Sequence, residues 1–141
     1  MIYDDVLRAL AAARVRFVVT GGTAVALHGL PRRVRDLDVV ADPAPANLDA
    51  LLVCAASLGF TATLPLPLQF VVVMRLFDPD GRELDVNRLY PIAFAELAAR
   101  AVHVQVGEAG IAIASKADLV AVKRARGRDY DLEDVLLLET P

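Results

Sequence analysis

The chain has 141 residues, of which 56% are hydrophobic and 23% charged, and its formal net charge is −3. These values predict one compact domain over residues 1–141, and they exclude disorder and a strongly basic nucleic-acid-binding protein. The single cysteine, Cys54, excludes an intramolecular disulfide and a cysteine-rich metal site. The longest apolar run is too short to span a bilayer, and the acidic start is unlike a signal peptide. We therefore expect a cytoplasmic protein with no membrane partner.

Hydrophobic periodicity and turn residues predict helices and strands that alternate along the chain. The predicted helices cover 3–14, 23–28, 46–58, 92–100, 115–126 and 129–138. The predicted strands cover 15–20, 36–41, 60–64, 69–77, 83–87, 102–106 and 111–114. Because several strands follow one another directly, we expect an α/β domain whose sheet is mixed rather than fully parallel, with helices on its faces.

Two aspartates occupy the second predicted strand, although aspartate is depleted in strands. Asp36 and Asp38 are two residues apart, so their side chains point to the same face of the sheet. Two carboxylates this close repel each other unless a cation lies between them, and Mg²⁺ prefers such hard oxygen ligands. The alternative is that both aspartates lie on a solvated face of the sheet.

A second strand, 83–87, repeats this pattern around Asp85, whose neighbours Leu84 and Val86 are apolar. If this strand lies beside the first, Asp85 completes a cluster of three carboxylates with Asp36 and Asp38. Such a cluster can hold two metal ions and activate an attacking hydroxyl.

A pair of glycines, Gly21 and Gly22, separates the first predicted strand from the following helix. Without Cβ atoms, their backbone amides can approach an anion, and the helix N-terminus that follows favours a phosphate. Thr23 could cap this helix or bind a phosphate oxygen. The alternative is a tight turn with no ligand.

These motifs together resemble the nucleotidyltransferase superfamily, which has the DNA polymerase β-like fold. The matching features are a hydrophobic strand ending in Gly21-Gly22, then Asp36-x-Asp38, then Asp85 on a later strand. The resemblance is greatest to the small stand-alone branch of AbiEii-type toxin nucleotidyltransferases, which carries Gly-Gly-x-Ala, then His-Gly, then Arg. That branch commonly has Thr two residues before the first aspartate, where this chain has Val34.

The resemblance implies a transfer of a nucleoside monophosphate from a nucleoside triphosphate to an acceptor hydroxyl. It implies that Asp36, Asp38 and Asp85 bind two Mg²⁺ ions and form the catalytic centre. Gly21, Gly22, Thr23 and Lys123 would bind the nucleotide. The acceptor could be RNA such as tRNA, a partner protein or a small molecule.

Two further questions stay open at this point. The first is whether the chain is an enzyme or a non-catalytic module of this fold, for example in a toxin–antitoxin or regulatory pair. The second concerns the basic residues: Lys123 could reach a triphosphate or lie on a solvated helix face, and Arg128 could contact phosphate or pair with Asp131 or Asp134. Arg32, Arg33 and Arg35 could offset the carboxylates or meet the second substrate.

Overall fold

The computed structural model describes residues 1–62 and 72–141, which form six helices and seven strands. The helices are α1 Asp4–Ala12, α2 Gly21–Leu27, α3 Pro45–Ser57, α4 Phe94–Ala99, α5 Lys116–Arg126 and α6 Asp129–Glu139. The strands are β1 Phe17–Thr20, β2 Leu37–Ala41, β3 Thr61–Ala62, β4 Val73–Phe77, β5 Glu83–Asn87, β6 Val102–Val106 and β7 Ala109–Ile113. Parts of two predicted strands, 60–64 and 69–77, lie outside the described residues. Within the described ranges, every helix is too short or too polar to cross a bilayer.

The strands form one sheet in the order β3-β4-β5-β2-β1-β7-β6. The pairs β2–β5 and β1–β7 are parallel, and the other neighbouring pairs are antiparallel. The predicted mixed α/β sheet is therefore confirmed. The two strands that carry the predicted carboxylates, β2 and β5, are direct neighbours in it.

Helices cover both faces of the centre of the sheet. All four residues of β1 are buried, although successive side chains of a strand point to opposite faces. In β2 and β5, Val39, Leu84 and Val86 are fully buried. The apolar core is thus continuous around the middle strands, and Asp38 and Asp85 interrupt it near the start of the β2–β5 pair, with Asn87 at its other end.

A tight turn fixes the register of the β4–β5 hairpin. Asp78 Oδ1 accepts hydrogen bonds from the backbone nitrogens of Asp80 and Arg82, at 3.1 and 2.7 Å. Gly81 completes the turn with a φ of +83°, a conformation that costs glycine little. The resulting register pairs Arg75 of β4 with Asp85 of β5.

The last two helices form a packed pair joined by a short turn. Ser115 is the predicted N-cap of α5, and its Oγ accepts a hydrogen bond from the backbone of Asp118 at 3.1 Å. Gly127, with a φ of +67°, ends α5 and reverses the chain into α6. This arrangement holds Lys123 of α5 against Asp134 of α6.

Candidate active site

The three predicted carboxylates converge at one end of the central strands. The parallel register of β2 and β5 places Asp38 beside Asp85, one position after the fully buried pair of Leu37 and Leu84. Strand β2 begins at Leu37, one residue later than predicted, so Asp36 lies just before it. Ligand oxygens of Asp36, Asp38 and Asp85 all lie within 4.8 Å of one another. The strand alternation read from the sequence therefore produces the expected cluster.

This cluster is electrostatically costly in the absence of a cation. Asp85 is only 4% exposed, and its Oδ1 has no hydrogen-bond partner among residues 1–62 and 72–141. Burial raises the pKa of Asp85 to about 8, and Glu83 and Asp38 add to this increase. Burial also raises the pKa of Asp38 to about 6, with the charge of Asp36 as the next cause. The buried carboxylates therefore need either protons or a cation.

The donor set fits a divalent metal ion. Three carboxylates place hard oxygen ligands within 4.8 Å of one another, and one buried oxygen, Asp85 Oδ1, has no hydrogen-bond partner among residues 1–62 and 72–141. The nearest cation to that oxygen is the guanidinium of Arg75, with Nε 3.9 Å from Oδ1 of Asp85. That distance is too long for a hydrogen bond. Because Asp85 Oδ1 has no hydrogen bond to lose, it is free to bind a metal ion together with Asp36 and Asp38.

The glycine turn lies directly against the cluster. Gly21 has a φ of +65°, and a Cβ added there would overlap Oδ2 of Asp38. A Cβ added at Gly22 would come within 3.0 Å of the Arg32 guanidinium. Gly21 therefore permits a close approach to a carboxylate that a side chain would block, and Gly22 leaves room for the Arg32 guanidinium.

The hydroxyl of Thr23 already has a hydrogen-bond partner within the fold. Its side chain is fully buried, and its hydroxyl donates to the backbone carbonyl of Asp36 at 2.5 Å. The contact ties the start of α2 to the entry of β2, and so helps to position Asp36. A phosphate contact from Thr23 stays a prediction, and the observed hydrogen bond gives its hydroxyl another partner.

Lys123 belongs to a buried ion-pair network. It is 4% exposed, so the alternative of a solvated helix face is wrong. Its Nζ lies 2.8 Å from Oδ2 of Asp134, and the Nε of Arg32 lies 2.7 Å from Oδ1 of the same carboxylate. Asp134 thus holds two cations at the edge of the glycine turn. The sequence analysis considered Asp134 as a possible partner of Arg128, and its contacts with Lys123 and Arg32 could not be predicted from the sequence.

Arg128 takes the structural role that was one of its two alternatives. Its Nε lies 2.6 Å from Oδ2 of Asp131, across the start of α6. The guanidinium also lies over the ring of Tyr130, 4.5 Å from its centroid. This contact orders the N-terminus of α6 beside the carboxylate cluster.

A cavity of about 920 Å³ joins these groups. Of the predicted site residues, its wall contains Gly21, Gly22, Asp36, Asp38, Asp85 and Lys123, whereas Thr23 lies behind it. Sequence reasoning missed Arg75, which reaches this wall from the strand next to Asp85. The alternation of β4 could have indicated it, but only once the hairpin register was known.

Comparison with solved structures supports the fold. The lincosamide antibiotic adenylyltransferase LnuA, solved with lincomycin bound, is 16% identical, with a TM-score of 0.73 over 96% of this chain and 93% of that one. The enzyme ANT(2")-Ia, solved with adenylyl-2"-tobramycin, is 14% identical, with a TM-score of 0.66 over 98% and 88%. A nucleotidyltransferase-like protein from Paracoccidioides brasiliensis is 17% identical, with a TM-score of 0.61 over 97% and 73%. The predicted nucleotidyltransferase fold is thereby confirmed.

Sequence comparison identifies the family within this superfamily. No curated protein matches the chain. The model of the aminoglycoside-2''-adenylyltransferase family matches residues 3–129, which is most of the chain. The match agrees with the predicted nucleotidyltransferase superfamily, whereas the narrower AbiEii-type branch is not shown and stays a prediction. The chain belongs to the aminoglycoside-2''-adenylyltransferase family of nucleotidyltransferases.

Proposed function

We propose that this protein transfers a nucleoside monophosphate from a nucleoside triphosphate to a hydroxyl of a small molecule, in a reaction that depends on Mg²⁺. The observation that carries the proposal is the cluster of Asp36, Asp38 and Asp85, with one buried oxygen lacking a hydrogen bond. The family supports the reaction class. A small-molecule acceptor is supported by relatives whose structures contain lincomycin or adenylyl-tobramycin. RNA and a partner protein have no such support.

In this proposal the three carboxylates hold two Mg²⁺ ions. When bound, the ions would neutralise phosphate charge and make the acceptor hydroxyl more acidic. The match between donor chemistry and burial supports this assignment, because removing the carboxylates from water without a cation is unfavourable. The metal requirement also gives the proposal a simple test with chelator.

The chain's own residues would place the triphosphate beside the acceptor. The backbone of Gly21 and Gly22 would approach the phosphates, since neither residue carries a Cβ that would block them. Lys123 and Arg32, held by Asp134, would face the charge that develops on the leaving pyrophosphate. Preorganised cations of this kind lower the barrier because they need little rearrangement during the reaction.

At the α-phosphorus, the reaction forms one bond and breaks one, and the acceptor hydroxyl also loses its proton. The acceptor oxygen bonds to the α-phosphorus, the bond from that phosphorus to the bridging oxygen breaks, and pyrophosphate leaves with the electron pair. The acceptor proton passes to a carboxylate, for which Asp85 is the proposed site.

The test compares two positions of a radioactive label in ATP. With Mg²⁺ and a panel of lincosamides and aminoglycosides as acceptors, label at the α-phosphate should enter the acceptor, whereas label at the γ-phosphate should appear in pyrophosphate. The variant Asp85→Asn should lose this transfer, and Asp49→Asn should keep it because Asp49 is exposed on α3. Transfer of the γ-label would contradict nucleotidyl transfer, and equal transfer by wild type and Asp85→Asn would contradict the role of Asp85.

A further inference from the structure

One aromatic side chain lies in the wall of the active-site cavity. Among residues 1–62 and 72–141, Tyr130 is the only aromatic residue that lines this cavity, and 50% of its surface is exposed. Most of the described wall around it is polar or charged. The contacts proposed above for the triphosphate and the metal ions leave this ring without a role.

Contacts at the start of α6 hold the Tyr130 ring in place. The Arg128 guanidinium lies over the ring, 4.5 Å from its centroid, and the Nε of Arg128 lies 2.6 Å from Oδ2 of Asp131. Asp131 is buried, with 1% of its surface exposed. A buried carboxylate thus fixes a cation, and that cation stacks on Tyr130. Because the ring is already ordered, a planar ligand that stacks on it costs little further conformational entropy.

Tyr130 lies one helical turn from the proposed phosphate-binding cations. It precedes Asp134 by four residues on α6, so the two side chains lie on the same side of the helix, with Cβ atoms roughly 5–6 Å apart. Asp134 holds Lys123 and Arg32, at 2.8 and 2.7 Å. A nucleoside attached to a triphosphate at these cations would therefore lie within reach of the Tyr130 ring.

The order of the strands separates the donor side of the cavity from the acceptor side. The strands run β4-β5-β2-β1, so the glycine turn after β1 and the β4–β5 hairpin lie on opposite sides of β2. In an in-line displacement the acceptor approaches opposite the leaving pyrophosphate, which here means from the β4–β5 side. Helix α6 instead packs against α2 and α5, which carry the glycine turn and Lys123. Tyr130 therefore belongs to the donor side.

We infer that Tyr130 is the stacking surface for the nucleobase of the donor nucleotide. This inference rests on the proposed nucleotidyl transfer and adds a base subsite to it. Every nucleobase has an aromatic face, and stacking of a base on an aromatic side chain strengthens binding by a factor of roughly 5 to 150. The contact uses the ring and not the hydroxyl, so phenylalanine should replace tyrosine here.

The test compares two ligands that share a triphosphate but differ in the base. The first is α,β-methylene ATP, which cannot donate a nucleotide, and the second is inorganic tripolyphosphate. Each is titrated by calorimetry in Mg²⁺. Tyr130→Leu keeps an apolar side chain but removes the aromatic face, so it should weaken binding of α,β-methylene ATP at least about fivefold and leave tripolyphosphate within about twofold. Tyr130→Phe should leave both affinities within about twofold.

A control variant and a fluorescent variant locate the effect at the ring. Leu132→Ala is the matched control, because Leu132 is 45% exposed on the same helix and lies outside the cavity wall, and it should change neither affinity. The chain contains no tryptophan, so Tyr130→Trp introduces a single one. Its emission should change when α,β-methylene ATP binds and stay constant when tripolyphosphate binds.

The outcomes separate this inference from the proposed function. Equal weakening of both ligands by Tyr130→Leu would overturn the base subsite, because the ring would then serve the fold or the phosphate site. Unchanged affinity for α,β-methylene ATP would also overturn it, and a simultaneous loss of tobramycin binding would assign the ring to the acceptor. Both results leave nucleotidyl transfer standing if α,β-methylene ATP binds to the wild type in a Mg²⁺-dependent way. Failure of that binding would overturn the proposed function and this inference together.

Discussion

Asp38 and Asp85 are paired across two parallel strands, and each is preceded by a fully buried leucine. The two carboxylates therefore lie on one face while their neighbours anchor the other face in the core. Because the strand backbones fix this pairing, neither carboxylate can move away without disturbing the sheet. The pair stores like-charge repulsion that a divalent cation can relieve.

Neutralising Asp85 should separate folding from catalysis. Asp85→Asn removes a buried charge near two other carboxylates, so in chelator this variant should melt at or above the wild-type temperature. Transfer should fall by roughly 10²–10⁴, the range of a lost general base. Thermal melting and the labelled-transfer assay measure the two effects, with Asp49→Asn as control. A large loss of stability in chelator would instead indicate a structural role for the Asp85 carboxylate.

The metal-free protein should become less stable as the pH rises. The pKa values of Asp38 and Asp85 are raised to about 6 and about 8, from 3.8. A carboxyl group whose folded-state pKa is raised contributes stability that is present below pH 4 and is lost as pH rises through the folded value. Melting in chelator from pH 5 to 9 should show this decline, and the double variant Asp38→Asn with Asp85→Asn should flatten it.

Below about pH 4, the stability of the protein should instead increase as the pH rises. The Arg82 guanidinium holds the pKa of Asp78 below its usual value, so the stability from this pair is lost as pH falls. The two pH windows are therefore distinct. A wild-type protein in chelator whose stability rises between pH 5 and 9 would contradict the electrostatics of the cluster.

The structure also shows which parts of the site could be predicted from the sequence. The alternation around Asp36, Asp38 and Asp85 is local, and β5 matches its predicted bounds because apolar and polar residues alternate cleanly there. The start of α2 was predicted two residues late, because glycines lower helix propensity and hide a helix that packing against β2 stabilises.

The ion-pair networks could not be predicted in the same way. The partners Arg32 and Asp134 are 102 residues apart, and their contact depends on how α6 packs beside the glycine turn. For Lys123, a triphosphate contact and a solvated position were both compatible with a lysine on an amphipathic helix. Only the α5–α6 pairing shows that its ammonium is buried against Asp134.

Removing the Asp134 carboxylate should be strongly destabilising. Asp134→Asn leaves the buried Lys123 without its counter-ion, at a cost of roughly 3–5 kcal/mol in the free energy of unfolding. Combining Asp134→Leu with Lys123→Met removes both buried charges and should recover part of this loss. Urea denaturation of Asp134→Leu, Lys123→Met and the double variant completes the cycle. Equal stability of wild type and Asp134→Asn would contradict a buried, paired Lys123.

A methyl group at Gly21 should damage the site more than the backbone conformation alone explains. Gly21 and Gly29 both have positive φ, +65° and +84°, but an added Cβ overlaps the Asp38 carboxylate at Gly21 and meets nothing within 4 Å at Gly29. Gly29→Ala should therefore cost about 1–2 kcal/mol from the left-handed backbone, and Gly21→Ala more. Only Gly21→Ala should also lose the stabilisation by Mg²⁺ and nucleotide. Identical behaviour of the two variants would rule out a close approach of Gly21 to Asp38.

The most direct test of the metal site is anomalous diffraction from crystals grown with Mn²⁺ and α,β-methylene ATP. The account predicts that the strongest anomalous peak lies about 2 Å from carboxylate oxygens of Asp36, Asp38 and Asp85, with the triphosphate beside Gly21 and Gly22. Crystals of Asp38→Asn should lose this peak or show it weakened. A nucleotide that binds elsewhere, or Mn²⁺ bound away from all three carboxylates, would contradict the assignment of this cluster as the centre of nucleotidyl transfer.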